Sequence, residues 1–585
     1  MKAIAIPFLA VFLTSTALLA LPCQEEGEWD LAKLEEQFAQ QMTGCQMVGL
    51  FTTRDPEKKP QRDSYTILKV RKLRDSKWQF LARVEYQEKP ITVPLVVDVK
   101  WAGDTPVIQV TDMKIPFLGT YTARVVIYRG EYAGTWSGVG YGGQMYGKIV
   151  PPQGKGKKKA TAGNWPTWRG VDGTCIAAEG SNPPVKWSDD ENIKWKVEIP
   201  GKGSSSPIIW GDKVYVTTAI ETDKEGTAPA ARGGRGGRSG GIPGFTSARP
   251  SKVHEFVVYA LNRQDGSVAW RQVVKKAVPH EGGHATASQA SNSPITDGER
   301  IYAHFGSRGL HCLDVSGKLL WSKDFGLMRT AASFGEGSSP ALHGNALVMV
   351  WDHEGDSFVA AFDKRSGKEL WRKARRESTS WSTPLITEVG GKAQVILTAS
   401  GASRGYDLET GEVLWSVSGM TRNPIPSPIQ VDGIAYLMSG FQGSTMQAIK
   451  LAGAEGNLRD SDNLLWTHRR GTSYVPSAMV YQGEVYFLRV SNGVLSCLDA
   501  KTGEAHYEGQ RMRRLGTVYS SPVAAAGRIY FTSRRGYTKV IKADSKYEEL
   551  ATNRLHDTID GTAAIVGNEI YMRGEKHLYC IAEQK

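Results

Sequence analysis

A Ser/Thr-Pro step, followed a few residues later by glycine and then by an apolar strand, recurs through most of the chain. It stands at Ser206-Pro207, Ser293-Pro294, Ser339-Pro340, Thr383-Pro384, Ser427-Pro428 and Ser521-Pro522, with alanine in place of proline at Ser477-Ala478 and Thr562-Ala563. From position 207 the successive gaps are 87, 46, 44, 44, 50, 44 and 41 residues. A period of this size marks a repeat array, because a unit too small to bury its apolar face alone must stack on copies of itself. A second half-repeat keeps the same phase: a strand ending in Leu-Asp or its equivalent, a turn carrying glycine, and then tryptophan. It reads Ala260-Leu261-Asn262 to Trp270, Cys312-Leu313-Asp314 to Trp321, Ala361-Phe362-Asp363 to Trp371, Gly405-Tyr406-Asp407 to Trp415, and Cys497-Leu498-Asp499 to Tyr507. Aspartate can bond its own backbone and glycine accepts positive φ, so these residues make a tight hairpin, while the indole anchors the following strand. Each repeat then supplies about four short strands, the content of one propeller blade.

Eight inner-strand slots predict eight blades over residues 164–585. After Ala563 the chain has strands around Tyr571 and Tyr579 but no closing Trp strand. Asn192-Ile193-Lys194-Trp195-Lys196-Val197, ahead of the first slot, supplies it, so the two ends should pair in one blade and leave no open sheet edge. The long first gap contains a Gly/Arg-rich insertion at 221–251, with Arg232, Arg235 and Arg238 among glycines, expected as a mobile loop. Of 16 tryptophans, Trp195, Trp270, Trp321, Trp371, Trp415 and Trp466 fill one repeated slot, so the aromatic content reflects architecture.

Ahead of the array the pattern differs. Leu31, Leu34, Phe38 and Met42 recur at helical spacing, and Gly44 can end that helix in a left-handed cap. The period then becomes two, as in Trp78, Phe80, Ala82, Val84 and Tyr86, or Val93, Leu95, Val97, Val99 and Trp101. Residues 24–153 therefore read as a small β-rich domain, a meander barrel or sandwich of about eight antiparallel strands with an N-terminal helix. Residues 154–163, with Lys155, Lys157, Lys158 and Lys159, read as a basic linker. The fold class is all-β, an eight-bladed β-propeller preceded by a small helix-plus-antiparallel-β domain.

Met1 and Lys2 open an uncharged run with a dense apolar stretch from Ile4 to Leu13, so residues 1–22 read as a signal peptide of an exported protein. An uncleaved anchor is the alternative, and Pro22 before Cys23 argues against lipidation there. There is no Cys-x-x-Cys to make a zinc ribbon, a thioredoxin-type site or a c-type haem site. Cys312, Cys497 and Cys580 share one blade position, so no disulfide is expected among them. The formal net charge of +12 and pI near 9.2 suit a polyanionic partner but select no function by themselves.

With Gly367-Lys368-Glu369-Leu370-Trp371 and Thr410-Gly411-Glu412-Val413-Leu414-Trp415, the repeats resemble the PQQ-type repeats of quinoprotein alcohol dehydrogenases and of the outer-membrane barrel-assembly lipoproteins of Gram-negative bacteria. Asn164-Trp165-Pro166-Thr167-Trp168-Arg169-Gly170, with Ser205-Ser206-Pro207 downstream, resembles the opening of PQQ-binding-like propellers of planctomycete-type bacteria. The resemblance covers residues 164–585 and implies the fold. For a quinoprotein enzyme it also implies adjacent cysteines beside the quinone, a calcium held by carboxylate and amide groups, and a catalytic aspartate. The chain has no adjacent cysteines, and Asp352, Glu354, Asp356 and Asp560 do not map onto the calcium or base positions.

His280-Glu281-Gly282-Gly283-His284 has zincin spacing, but Pro279 and the central glycines oppose a helix and the repeat phase puts it in a loop, so no metal site is assigned. The loops leading into the inner strands carry Arg329, Trp381, Arg422, Asn423, Arg470, Tyr474, Tyr519 and Asp560, the candidate residues of a ligand- or partner-binding face around the channel. No catalytic residue is assigned and no cofactor is expected. The function expected is that of a non-catalytic binding or assembly platform, monomeric, in the periplasm or cell envelope. Its partner would be an envelope protein or polymer, with peripheral membrane association open and no nucleic acid. The alternatives are a PQQ- and calcium-dependent dehydrogenase of alcohols or sugars, and acidic-polysaccharide binding.

Overall fold

The computed structural model describes residues 31–54, 60–86, 89–115, 119–128, 130–150, 163–229 and 244–583. The expected signal peptide, Cys23, nearly all of the expected basic linker and the centre of the Gly/Arg insertion lie outside the described residues. The chain divides into two compact units, Met1–Lys158 and Lys159–Lys585. No helix among the described residues is long and apolar enough to cross a membrane.

The first unit opens with α1 (Leu31–Met42), followed by β1 (Gln46–Phe51), β2 (Gln61–Arg74), β3 (Lys77–Tyr86), β4 (Lys89–Ala102), β5 (Thr105–Ile115), β6 (Gly119–Tyr128), β7 (Glu131–Gly138) and β8 (Tyr141–Val150). Each strand pairs with the next, and β1 returns to β8 from Gln46↔Val150 to Phe51↔Met145, closing a barrel. The alternating apolar residues of the strands point inward and meet the apolar stripe of α1. Phe38 packs with its ring centroid 5.3 Å from that of Trp78 and 5.8 Å from that of Trp101. Closure brings backbones together at Gly147, where a Cβ would stand 2.3 Å from the Val48 carbonyl oxygen.

The second unit is a ring of eight antiparallel sheets. In the first seven, strand order follows the chain. The eighth sets Ala564–Val566, Glu569–Arg573 and His577–Ile581 beside Ile193–Glu198, which pairs with His577–Ile581 from His577↔Glu198 to Ile581↔Ile193. The repeat phase is visible in the register: Ala260↔Trp270, Cys312↔Trp321, Ala361↔Trp371, Cys497↔Tyr507 and Cys580↔Trp195 are equivalent pairs. The five described cysteines are free and buried, and burial pushes the thiols of Cys312, Cys497 and Cys580 up to about 12.

The tryptophan slot joins one blade to the next. The Trp371 indole lies against the turn of the following blade, donating from Nε1 to the Leu408 carbonyl at 2.8 Å. A Cβ on Gly411, at φ +73°, would come within 2.6 Å of that indole. Trp195 over Gly266, Trp270 over Gly317, Trp321 over Gly367 and Trp466 over Gly503 repeat the contact. The hairpin glycine thus serves both the turn and the seat of the neighbouring indole. Blade 5 departs from the pattern: an insertion between Thr445–Lys450 and Leu464–His468 accounts for the 50-residue gap and lays Gly456–Asn457 parallel to Trp415–Ser416 on blade 4.

Buried histidines of blade 2 couple the ring's stability to pH. His311 accepts at Nδ1 from the Ser322 hydroxyl (2.8 Å) and donates from Nε2 to the Arg308 carbonyl (3.0 Å), and burial pulls its pKa from 6.5 down to about 4. His304, fully enclosed, is lowered by the same cause. Both are neutral in the fold, so their contribution is complete above the unfolded value of 6.5 and is lost as pH falls, for His311 toward 4. Inside that window His311 costs about 1.4 kcal/mol per pH unit. Urea unfolding should therefore weaken between about pH 6.5 and pH 4, and His311→Gln should make the dependence shallower; an unchanged slope would contradict the assignment.

Candidate binding site at the channel mouth

The eight slot hydroxyls form one closed belt. The backbone N–H of Ser206 donates to the Ser293 hydroxyl, Ser293 to Ser339, Ser339 to Thr383, Thr383 to Ser427, Ser427 to Ser477, Ser477 to Ser521, Ser521 to Thr562, and Thr562 back to Ser206, at 2.9–3.3 Å. This explains why the slot is Ser or Thr in every blade. A hydroxyl there closes the gap to the preceding blade and satisfies an inner-strand N–H that has no ladder partner. The following proline costs nothing in such a position, since its own N–H would be unpaired.

Beneath the belt, the segment after Gly163 crosses the channel. Trp165 exchanges both backbone hydrogen bonds with Ile209 of blade 1 (2.7 and 2.8 Å), and Pro166 accepts from Thr296 N–H of blade 2 at 3.0 Å. On the far side Arg169, 5% exposed, donates to the carbonyls of Pro428 (2.8 Å), Ser427 (3.2 Å) and Ala478 (3.2 Å). The Trp-Pro-x-Trp-Arg-Gly motif is thus a plug tying opposite blades together, and its Trp168 reaches the space above.

That space is a cavity of about 280 Å³ rimmed by the belt hydroxyls and by Trp168, His284, Thr286, Phe334, Glu336, Trp381, Ile425, Tyr474, Tyr519 and Asp560. Trp381 is held by Nε1 donating to the Gly335 carbonyl at 2.7 Å. Tyr474 stacks on Phe441 with centroids 4.8 Å apart and planes 29° from parallel. Tyr519 lies under the Arg534 guanidinium, 4.7 Å from its centroid. His284 packs edge-on to Phe334 at 5.1 Å and bonds Thr286 Oγ1 at 2.8 Å; burial and the Arg534 charge hold its pKa below the usual value. Both carboxylates are already engaged. Asp560 takes Arg534 Nε at 2.6 Å and Nη2 at 3.1 Å, and Glu336 takes Ser307 N–H and Oγ at 2.6 Å each and Arg308 at 3.3 Å. Burial pushes the Asp560 carboxyl above its ordinary value in spite of that partner. The cavity therefore offers aromatic faces and hydroxyls rather than free charge.

Of the eight residues expected at the site, Trp381, Tyr474, Tyr519 and Asp560 line the cavity. Asn423 stands behind them and hydrogen-bonds the Tyr474 phenol. Arg329, Arg422 and Arg470 are not among the lining residues. Arg329 turns to the Glu354 carbonyl, Arg422 is exposed with its backbone bridged to Phe441, and Arg470, 78% exposed, pairs with Glu508 at 3.1 Å. Trp168, His284, Phe334 and Glu336 are among the lining residues that sequence reasoning missed. Their one signal was position: the first lies in the opening motif and the others in the loops that lead to Ser293 and Ser339.

His280 to His284 form a loop, as the glycines require. His280 bonds the Met328 carbonyl at 2.6 Å and Glu281 takes the Thr330 hydroxyl at 2.8 Å, so the motif's side chains serve neighbouring loops. Among the described residues no three His, Cys, Asp or Glu side chains converge as metal ligands. Asp352 is locked to Arg375, and Glu354 accepts from Thr379 N–H (3.0 Å) and Oγ1 (2.7 Å).

A family model described as outer membrane protein assembly factor BamB matches residues 254–505 and 359–585, all within the second unit. The chain is 25% identical over 309 residues to the outer membrane protein assembly factor BamB of Yersinia pestis, covering 51% of this chain and 70% of that one. To the factor of the same name from Burkholderia pseudomallei (strain K96243) it is 26% identical over 246 residues, covering 40% and 60%. Among solved structures, a europium-containing methanol dehydrogenase superposes at TM-score 0.50 and 11% identity over 73% of this chain and 99% of that one, a likeness of fold alone.

Proposed function

We propose a function from one premise: the chain belongs to the outer membrane protein assembly factor BamB family. The protein acts as a non-catalytic platform of the bacterial cell envelope, exported to the periplasmic side. It takes an envelope protein partner at the open mouth of its propeller. The observation that carries this reading is the chemistry of that mouth. Trp381, Tyr474, Tyr519 and Phe334 present aromatic surface on a scaffold closed below by the Arg169 plug, while every lining carboxylate is already neutralised. Rigidly held aromatics are what interface hot spots use.

The same lining fits PQQ with calcium poorly. That quinone is a tricarboxylate and needs several cations around it, whereas neither Arg nor Lys stands on the cavity wall. A calcium needs several oxygen ligands, and the carboxylates here hold Arg308 and Arg534 instead. Mixing the purified protein with PQQ and calcium should leave no protein-bound quinone absorbance after desalting and no dye-linked oxidation of alcohols or sugars. A retained chromophore with turnover would overturn the platform reading.

A further inference from the structure

Strand direction puts two sets of loops on the mouth side of each blade: those that lead into the inner strand, and those that join the second strand to the third. On blades 5 to 7 these are residues 418–428, 440–444, 469–478, 489–493, 512–522 and 533–536. They contain eight arginines and not one lysine, aspartate or glutamate. The corresponding loops of blades 2 to 4, residues 278–294, 305–309, 324–340, 352–356, 376–384 and 398–402, contain seven carboxylates and three arginines. Among these loops the positive charge is therefore concentrated on one half of the face.

That half is continuous and backbone-braced. Tyr474 N–H donates to the Val490 carbonyl (2.6 Å), Met512 to Gly493 (2.8 Å), Val518 to Ser491 (2.9 Å) and Arg534 to Thr517 (2.9 Å), so neighbouring blades hold the loops in register. Arg470 and Arg534 have carboxylate partners. Arg489, Arg513, Arg514 and Arg535 are exposed and make no ion pair among the described residues.

We propose that this arginine face docks an acidic segment of a protein partner. The use of arginine without lysine selects for carboxylates or phosphates gripped by a planar two-donor fork, not for diffuse charge alone. A lipid surface would call for apolar groups able to insert, yet Val490 is the one large exposed apolar side chain in these loops among the described residues. At the inner border stand Tyr474 on Phe441 and Tyr519 under Arg534. Arginine beside tyrosine is the composition of protein interface anchors. In the other half Glu354 and Asp356 are exposed and make no ion pair among the described residues, which disfavours an acidic chain there. That the partner is a protein rests on the platform reading, whereas the charge chemistry stands by itself.

The test titrates the full-length protein with a fluorescein-labelled oligoglutamate peptide containing tyrosine, alongside phosphatidylglycerol vesicles and alginate. The peptide should bind in a salt-sensitive manner. Joint replacement of Arg489, Arg513 and Arg514 by glutamate should weaken it by about tenfold or more, and by lysine by several-fold, while Lys392→Glu on the opposite side leaves it unchanged. The variants should melt at the parental temperature, since these side chains are solvent-exposed. Equal peptide binding by the glutamate variant would overturn the proposal. So would tighter, arginine-dependent binding to vesicles or alginate than to peptide. Quinone turnover would defeat the platform reading without changing this titration, so the two failures are distinguishable.

Discussion

Replacing Asp352 with alanine is expected to lower the unfolding free energy of the propeller by about 3–5 kcal/mol, the cost of leaving a buried partner charge uncompensated. The Arg375 guanidinium reaches it with Nε at 2.7 Å from Oδ1 and Nη2 at 2.9 Å from Oδ2. Each side chain is only 1% exposed, and the Tyr406 hydroxyl is also bonded to the guanidinium. Arginine cannot escape the penalty by losing its proton, so the whole cost falls on the fold. The contrast is Glu369–Arg372, at 2.6 Å but with both side chains about 40% exposed, where Glu369→Ala should change stability by about 0–1 kcal/mol. Burial, not distance, decides between them. Replacing both members of the buried pair by leucine and methionine should recover most of the loss, because two charges no longer need desolvation. Urea unfolding of the three variants separates these outcomes. A loss below about 1 kcal/mol for Asp352→Ala would mean that water reaches Arg375.

The ring was legible in the sequence because each blade repeats the same two physical problems. Every inner strand must satisfy its first N–H across a gap, which fixed Ser or Thr at the slot, and every blade must seat an indole on the next hairpin, which fixed Gly367, Gly411 and Gly503. Such periodic demands leave periodic residues, and even the closure of Ile193–Glu198 on His577–Ile581 could be read from a missing tryptophan. The mouth has no such redundancy. Trp381, Tyr474, Tyr519 and Asp560 were found through their proximity to a slot, but Arg329, Arg422 and Arg470 have the same proximity and point elsewhere. Their directions depend on the loops between second and third strands, such as Phe441 against Arg422 and Glu354 against Arg329, whose conformations follow no repeat. Phe334 and Glu336 were missed for the same reason. The plug was visible as a motif but not as an object, since nothing in residues 164–170 states which carbonyls Arg169 will meet across the ring.

On the platform reading, the open mouth, rather than the outer faces of the hairpins, is where this protein meets its partner. Tyr519 lies on the cavity wall, and Thr410 lies exposed in a hairpin on the opposite side of the ring. A photoreactive phenylalanine analogue placed at Tyr519 keeps an aromatic ring there, so folding is preserved while contact is recorded. In intact cells, irradiation should yield a discrete adduct with an envelope protein from position 519 and none from position 410. Adding Trp381→Ala and Tyr474→Ala should remove that adduct without changing the protein's abundance, because truncated interface anchors typically cost about 2 kcal/mol or more. The measurement is therefore the adduct pattern at 519 against 410. A strong adduct at 519 alone is the predicted result, and an adduct at 410 with none at 519 would contradict the account.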